Sequence, residues 1–567
     1  MPATDVDPPE PHAVPGATAS ADTAVVSGVQ PDRAGGERDA VASDPLVRSP
    51  GRMPYRPALD GIRAVAVAAV VLYHAGVSWL PGGFLGVDVF FVLSGYLITE
   101  LFLRERSTTG QLSLTSFWAR RGRRLLPALY AMVLVSGIYT RFVADRGQRG
   151  EIRGDGIATM FYVANWWYAF ADRSYFSAFG PPSPLRHTWS LSIEEQFYLV
   201  YPLLVVAGLA AWGVKRQRWI AALVGGAVAS AAWMAISYVP DGDPSRDFYS
   251  TLTRAQALLI GAALAWVLHR IVLDRRAAQR LEAIGAVGLV AVVGFFVVAH
   301  DGNQSPWLYR GGFFLVALSA AALVAAASRP PEGPLTKALA VAPLVALGRV
   351  SYGVYVWHWP IFVWLWPTRV ELDGGALLAA RLAVTGVVAV VSYHLLEQPV
   401  RRWSTSVRTL GTALGVAGVV TLLVFLVLTA GGVDRDAAAS DALRSPSAPT
   451  SSLAPGDTVR VFVAGDSMAF SLAVGGFVGA ADAGAVIDSG AVIGCGLLPG
   501  QPLDAAGVPI EVNEVCEDWR AIWQQRLDNF DPEVAVLLTG AWDVWDRTVD
   551  GQRLVVGTPA WVERERA

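Results

Sequence analysis

Long apolar segments recur along the chain from about residue 58 to residue 430. Each is long enough to cross a hydrocarbon core about 30 Å thick as a helix. The pattern predicts eleven membrane spans, at residues 58–78, 84–103, 125–144, 191–213, 219–239, 253–272, 281–299, 311–328, 343–366, 376–396 and 408–430. A further segment at residues 157–170 is short and rich in aromatic residues, and we interpret it as interfacial or re-entrant.

The distribution of Lys and Arg predicts how these spans are oriented. Short outer loops hold at most one basic residue each when the N-terminus is placed inside. The inner loops and span ends then contain Arg104, Arg106, Arg120, Arg121, Arg123, Arg124, Lys215, Arg216, Arg218, Arg270, Arg275, Arg276, Arg280, Arg329, Lys337, Arg401 and Arg402. Counting residues 157–170 as a full span would put the later clusters outside. We therefore predict a multi-pass protein of the plasma or inner membrane, with its N-terminus cytoplasmic.

The two ends of the chain lack the long apolar segments. Residues 1–54 are rich in Ala, Pro, Asp and Gly, which predicts a disordered cytoplasmic tail. Residues 431–456 form a Ser/Pro/Ala linker, and residues 457–567 alternate strand-like and helix-like segments. This last part is predicted to be an α/β domain outside the membrane. It contains Cys495 and Cys516, and a disulfide and two unpaired buried thiols are both open alternatives.

Composition agrees with a membrane protein and excludes several other classes. The chain is 53% apolar and 16% charged, with a mean hydropathy of +0.41. Soluble proteins carry roughly 25% charged residues. A net charge of -3 argues against a nucleic-acid partner. Two cysteines are too few for a disulfide scaffold or a multi-cysteine metal site, so no metal is expected.

Ionisable residues inside predicted spans are candidates for chemistry, because they normally face a protein-lined cavity. Arg63 and His74 are eleven residues apart in the first span, which places them on one helix face about 16 Å apart. His74 suits a general base for a hydroxyl, and Arg63 suits a phosphate-bearing ligand. Snorkelling or structural pairing is the alternative reading. Further candidates in or beside the fourth and ninth spans are His187, Glu194, Glu195 and Arg349.

Six motifs between residues 55 and 405 resemble, in content and order, the acyltransferase 3 family. They are LDGIRAVAVAAVVLYHAG, GGFLGVDVFFVLSGYLIT, RRGRRLLP, LRHTWSLSIEEQFYLVYP, SYGVYVWHWP and LLEQPVRRW. The resemblance implies a membrane domain of ten helices at residues 55–405, followed by an eleventh helix at 406–430. It also implies O-acylation, usually acetylation, of an extracytoplasmic cell-envelope carbohydrate, with cytoplasmic acetyl-CoA as the acyl donor.

The resemblance assigns roles to individual residues. Arg63 and His74 match the family's Arg–His pair, Arg121 and Arg124 its RxxR motif, and Glu195 the acidic residue of its WSLS-EEQFY block. His74 and Glu195 are therefore candidate catalytic residues, and the three arginines are candidate donor-binding residues. The candidates for contact with the acceptor glycan are Glu194, His187 and Arg349. His358 lies among large aromatic residues and is expected to pack there rather than act as a second base.

Residues 457–567 resemble an SGNH hydrolase-type domain. Asp466 and Ser467 stand in its GDS block, with Ser467 in the place of the nucleophile. In the oxyanion block, GAWD, a Trp replaces the Asn of the hydrolases. The DxxH block is missing, and no histidine follows His394. The domain is therefore expected to be incomplete and unable to run a Ser–His–Asp cycle by itself.

Two other classes of function stay open on sequence grounds. A membrane carrier or channel would use the buried Arg, His and Glu side chains as a path for a solute or protons, without covalent chemistry. Such carriers favour internal repeats, and the chain contains none that we recognise. A membrane protein that binds glycan without modifying it is the third alternative. The acceptor's identity and the oligomeric state are not predicted.

Overall fold

The computed structural model describes most of residues 54–430 and short parts of the chain beyond them. The described ranges are 54–144, 148–170, 182–240, 243–300, 305–329, 332–370, 372–430, 459–465, 484–491, 501–502, 519–538, 547–549 and 552–554, with the single residues 469 and 472. Asp466, Ser467, Cys495, Cys516 and the GAWD segment lie outside the described residues. What the sequence predicts for them therefore stays a prediction.

The described chain from residue 54 to residue 430 is built of helices. They are α1 (Pro57–His74), α2 (Gly86–Thr109), α3 (Leu114–Phe142), α4 (Arg149–Met160), α5 (Ala164–Phe170), α6 (Thr188–Trp212), α7 (Arg216–Ser237), α8 (Ser245–Tyr249), α9 (Thr251–Leu268), α10 (Arg275–Val298), α11 (Phe313–Ala327), α12 (Pro334–Leu339), α13 (Ala342–Trp364), α14 (Pro367–Val370), α15 (Gly374–Ser392), α16 (Gln398–Arg402) and α17 (Val407–Leu428). Short 3-10 or π-helical turns precede α2, α11 and α16: Gly83–Leu85, Leu308–Gly312 and Tyr393–Glu397.

Ten helical segments of the described chain are long and apolar enough to cross a membrane. They contain α1, α2, α3, α6, α7, α9, α10, α11, α15 and α17. The ninth predicted span corresponds to α13, a helix of 23 residues that is not one of these ten and that contains Arg349 and His358. The prediction of a polytopic α-helical membrane protein is therefore confirmed.

The structure gives the helix lengths at residues 157–170 and corrects the start of the third predicted span. Residues 157–170 fall in two helices, α4 and α5, which are interrupted at Tyr162, where φ is 54°. Helices of 12 and 7 residues extend only about 18 and 10 Å, which is less than the thickness of the membrane core. The third predicted span begins earlier than expected, at Leu114, because Ser113 caps the helix there. The cluster of arginines at 120–124 therefore lies on α3 itself.

The helices that carry the candidate site residues approach one another closely. A Cβ atom at Gly95 of α2 would overlap the carbonyl oxygen of Leu258 on α9, and one at Gly261 would overlap the carbonyl of Val92. Gly348 of α13 meets the Asp60 carbonyl of α1 in the same way. Small residues allow such backbone contact in membrane helices. These crossings fix α1 against α13 and α2 against α9.

The described part of the terminal segment contains a small parallel sheet. Strands β1 (Val459–Gly465), β2 (Ala485–Ala491) and β4 (Val534–Leu538) have the order β2-β1-β4, with Val461 opposite Val534. Helix α18 (Trp519–Phe530) contacts β1 and β2. Strands β3 (Gln501–Pro502), β5 (Arg547–Val549) and β6 (Gln552–Leu554) pair antiparallel.

One prediction for this sheet is wrong in part. The sequence predicts a second buried strand at DPEVAVLL, and β4 does form there and pairs with β1. Its side chains are not buried among the described residues, since Val534 is 43% exposed and Leu537 is 59% exposed. The reason is its position at the edge of the sheet, beyond the strands that α18 covers.

Candidate active site

A narrow cavity lies between α1, α2, α3, α6 and α13, and it leaves about 80 Å³ of space for a water-sized sphere. Its polar lining is Arg63, Ser94, Arg121, Arg124, Ser190, Glu194, Tyr198, Ser351, Tyr352 and Tyr355. Apolar residues of α2, including Val87, Phe90 and Leu97, complete its wall. Four of the residues singled out from the sequence, three arginines and one glutamate, are thus brought together.

One end of the cavity is strongly basic. Arg63 donates to the Asp60 carboxylate at 2.5 Å, so its charge is partly compensated. Arg121 lies over the ring of Tyr198, with 4.4 Å between the guanidinium carbon and the ring centre. Within the described chain, neither Arg121 nor Arg124 forms an ion pair within 4.0 Å. Guanidinium groups in such a setting bind phosphate or carboxylate through paired N–H donors.

The structure separates the roles of the two neighbouring glutamates. Glu194 lines the cavity and accepts hydrogen bonds from Ser94 and, at 3.3 Å, from Tyr198. Glu195 is not part of the lining, although the charges of Arg121 and Arg124 act on it. The sequence names Glu195 as catalytic, and the geometry favours Glu194 for direct contact with a ligand.

Three histidines gather beyond the other end of the cavity. His74 Nδ1 lies 3.0 Å from His358 Nε2, and the two rings are stacked. His358 Nδ1 lies 2.6 Å from the carbonyl oxygen of Tyr355. The His187 ring meets the His358 ring edge-on at 5.5 Å, and its Nε2 lies 3.1 Å from the Val356 carbonyl. Two of these histidines were candidates from the sequence, and His358 joins them.

These contacts fix the proton positions on both hydrogen-bonded rings. A carbonyl oxygen only accepts, so His358 Nδ1 must carry the hydrogen that Tyr355 receives. In neutral His358 the Nε2 atom is then an acceptor, and His74 Nδ1 must donate to it. Neutral His74 therefore holds its basic lone pair on Nε2. This is the atom that can take a proton from another group.

Tyr355 connects the cavity to the histidines. Its hydroxyl lines the cavity, is hydrogen-bonded to Ser190 and donates to the His187 carbonyl at 3.0 Å. Its backbone carbonyl oxygen accepts a hydrogen bond from His358 Nδ1–H. The cavity therefore leads from the basic cluster on α1 and α3 to the residues that hold His74.

Arg349 lies apart from the other two residues predicted to contact the acceptor. Its side chain is exposed, is not part of the cavity lining, and donates to the Tyr55 hydroxyl at 3.1 Å. Tyr55 in turn donates to Asp60, the partner of Arg63. Arg349 and Arg63 are thus linked through Tyr55 and Asp60, a connection that no sequence motif specifies.

The sequence reasoning missed a buried ion pair next to the site. Arg254 of α9 is 1% exposed and donates to Asp88 of α2 at 2.8 Å. Its guanidinium lies 4.2 Å from the centre of the Phe313 ring and 6.0 Å from that of Phe91, which also lines the cavity. A lone arginine inside a predicted span was the signal that could have identified it. The pair ties α2 to α9 beside the cavity wall.

The fold and site define a helical membrane protein whose polar cavity is lined by a basic cluster and by a tyrosine that holds one of two paired histidines. The chain belongs to the acyltransferase family, since residues 56–433 match the family model described as "Acyltransferase domain". The resemblance seen in the sequence motifs is thereby confirmed. Within the described residues, no group of three or more His, Cys, Asp or Glu side chains could hold a metal ion.

Three curated relatives share much of this domain. The chain is 39% identical to "Peptidoglycan O-acetyltransferase OatA" of Listeria monocytogenes over 397 residues, which are 66% of this chain and 62% of that protein. It is 40% identical to "Putative peptidoglycan O-acetyltransferase YrhL" of Bacillus subtilis, covering 61% and 55%. It is 36% identical to "O-acetyltransferase OatA" of Staphylococcus aureus, covering 61% and 57%. The match thus spans less than two thirds of each relative.

Proposed function

We propose that this protein is a membrane O-acetyltransferase that transfers an acetyl group from cytoplasmic acetyl-CoA to hydroxyl groups of a cell-envelope glycan. Family membership supports acyl transfer, and the names of the three relatives support acetyl as the group and peptidoglycan as the glycan. The single observation that carries the proposal is a cavity lined by three guanidinium groups and by Tyr355, whose backbone carbonyl accepts from His358, the ring that is hydrogen-bonded to His74.

The basic end of the cavity fits the donor. Arg63, Arg121 and Arg124 would hold the phosphate groups of coenzyme A, which are the anionic part of that molecule. Bound acetyl-CoA supplies a thioester, a form of acetyl that an oxygen nucleophile can attack. Arg349 and Tyr55 support Arg63 through Asp60, so their contribution is assigned to the donor end of the site.

The histidine end fits the acceptor. His74 Nε2 takes the proton of a sugar hydroxyl as that oxygen attacks the thioester carbonyl. The C–S bond then breaks, the acetyl group remains on the sugar oxygen, and the thiolate takes the proton back from His74. His187 and Glu194 are proposed to contact the sugar, and Glu195, which the family motif marks as catalytic, is proposed to act beside Arg121 and Arg124.

The remaining architecture is proposed from the sequence. We assign eleven spans, with α13 as the ninth, a cytoplasmic N-terminus and an extracytoplasmic terminal domain in the cell membrane. The parallel β2-β1-β4 sheet supports an α/β type for that domain. An SGNH-like role for it, with Asp466 and Ser467 in the GDS block, rests on the sequence motif alone.

Labelled donor offered to membrane vesicles tests the proposed function. Vesicles that contain the protein, acetyl-CoA with a radiolabelled acetyl group and cell-wall glycan should yield alkali-labile label in the glycan. Vesicles without the protein give the background. Movement of a solute or of protons without label in the glycan would support the carrier alternative and contradict acyl transfer.

Replacing Arg121 or Arg124 by Gln should raise the KM for acetyl-CoA roughly 10- to 100-fold, because a hydrogen bond to a charged group contributes about 1.5–3 kcal/mol. Lys at either position should restore binding only in part, since the paired donors are lost. Arg123→Gln is the matched control, because Arg123 donates to the Thr405 carbonyl and is not part of the lining. An equal effect of all three substitutions would contradict a specific donor site.

Cysteine labelling tests the proposed orientation. In a chain with Cys495 and Cys516 replaced by Ser, Asp373→Cys should react with an impermeant thiol reagent in intact cells. Gln217→Cys should react only after permeabilisation. Both residues are exposed, Asp373 before α15 and Gln217 in the first turn of α7. The opposite pattern would invert the assigned topology.

A further inference from the structure

A second cavity lies on another side of α2, and nothing in the proposed reaction uses it. It offers about 590 Å³ to a water-sized sphere, which is far more than the narrow site cavity. Its walls come from the second half of α2, from α6, and from the last turn of α9. Cavities that bind small molecules in proteins measure about 300–1,000 Å³, so this one has the size of a binding site.

Three guanidinium groups surround this cavity: Arg106, Arg216 and Arg270. All three are exposed, and none forms an ion pair within 4.0 Å in the described part of the chain. Arg106 and Arg216 donate to backbone carbonyls, those of Gly110 and Val267. The rim of the cavity therefore carries positive charge that the described carboxylates do not balance.

Two carboxylates of α2 that neighbour lining residues in the sequence are engaged by other cations. Glu100 binds Arg104 at 2.7 Å and lies 3.3 Å from His269. Glu105 lies 3.7 Å from Arg120. Three arginines on one rim repel one another unless an anion lies between them. The arrangement therefore favours a ligand that brings its own negative charge.

The walls of the cavity are mostly apolar, with Thr99, Ser107 and His269 as polar members besides the arginines. Four of the apolar lining residues are buried: Phe102, Leu103, Val205 and Trp266. Val214, which also lines the cavity, is 65% exposed. A free phosphate makes no favourable contact with apolar side chains, whereas a lipid has both a charged head group and apolar chains. Basic pockets between membrane helices bind the head groups of anionic lipids for this reason.

We propose that this cavity binds one anionic phospholipid. Its phosphate would lie among Arg106, Arg216 and Arg270, and an acyl chain would follow Phe102 and Val205 between α2 and α6. The ligand class is set by charge and by wall chemistry, and the assignment does not depend on the acyltransferase reaction. The bound lipid would contact the ends of α2, α6 and α9 and stabilise their packing.

The test is a titration of the purified full chain in neutral detergent, with bound lipid counted by native mass spectrometry. Phosphatidylglycerol should bind at one saturable site, and phosphatidylcholine should bind at least tenfold more weakly. Changing Arg106, Arg216 and Arg270 together to Gln should weaken phosphatidylglycerol binding roughly a hundredfold, since each basic residue near an anionic lipid contributes about a factor of five.

A matched triple variant separates this site from general surface charge. Arg275, Arg276 and Arg280 lie on the first two turns of α10, carry the same total charge and do not line the cavity. Their change to Gln should leave phosphatidylglycerol affinity within twofold. Equal losses in the two triple variants would overturn the proposal.

Two further measurements could overturn the proposal. Competition by inorganic phosphate or by free coenzyme A as strong as that by phosphatidylglycerol would assign the site to a soluble anion and overturn the lipid. Should the triple variant not fold, Leu103→Trp fills the cavity without removing charge and should weaken lipid binding at least tenfold. Unchanged lipid binding in a folded Leu103→Trp protein would also overturn the proposal.

Discussion

Acetyl transfer to glycan is expected to fall by roughly 10²–10⁴-fold when His74 is replaced by Ala, because a positioned general base contributes about that factor. The expectation follows from the tautomer that the structure imposes. His74 Nδ1 donates to His358, so Nε2 holds the lone pair that takes the hydroxyl proton. The measurement is transfer of labelled acetyl from donor to glycan in vesicles with equal amounts of inserted protein.

A second histidine provides the control for this substitution. His300 is exposed, and its Nδ1 lies 3.1 Å from the Val298 carbonyl. His300→Ala should transfer acetyl at the normal rate and at the normal protein level. His74→Ala should also bind acetyl-CoA with normal affinity, since the donor is held at the arginines. Normal transfer by His74→Ala would remove His74 from the reaction.

The membrane fold was largely predictable, because hydropathy reports directly on the cost of placing a residue in lipid. Ten predicted spans correspond to helices long and apolar enough to cross a membrane, and a helix of 23 residues, α13, forms at the ninth predicted span. Helix ends were less predictable, since a capping residue such as Ser113 begins α3 well before its apolar part. Short helices such as α4 and α5 follow local capping and packing rather than hydropathy.

The sequence predicted which residues belong to the candidate site, but not which of them contact one another. Motifs identified Arg63, Arg121, Arg124 and His74, and the first three line one cavity. The choice between Glu194 and Glu195 depends on how α6 is rotated, which no motif specifies. The partner of His74 lies 284 residues away on α13, and only the packing of two helices decides that contact.

The contact between α1 and α13 gives His358 a hydrogen-bond partner that the sequence did not predict. The aromatic residues around it predicted a packed histidine, and it is indeed fully buried, with both nitrogens hydrogen-bonded. One of those bonds, however, reaches His74, the expected base. A packed histidine can thus determine which ring nitrogen of a neighbouring histidine carries the proton. The hydropathy of the sequence does not predict such a contact.

Changing His358 to Leu is expected to reduce kcat for acetyl transfer roughly 10- to 100-fold, with the KM for acetyl-CoA unchanged. His358→Leu removes the acceptor of the His74 Nδ1–H, a hydrogen bond that strengthens when His74 becomes charged in the reaction. Hydrogen bonds to charged groups contribute about 1.5–3 kcal/mol, which gives this range. The donor site should not change, because its arginines lie at the other end of the cavity.

Gln at position 358 distinguishes this positioning role from simple packing. Its amide oxygen can accept from His74 while its NH₂ group donates to Tyr355, so His358→Gln should recover most of the kcat that Leu loses. Phe362→Leu perturbs packing against the His358 ring, leaves both hydrogen bonds in place and should keep nearly normal kcat. In a His74→Ala background, adding His358→Leu should cause no further loss, because the two residues act as one unit. Equal losses for Gln and Leu, or additive losses in the double variant, would show that His358 acts through packing alone.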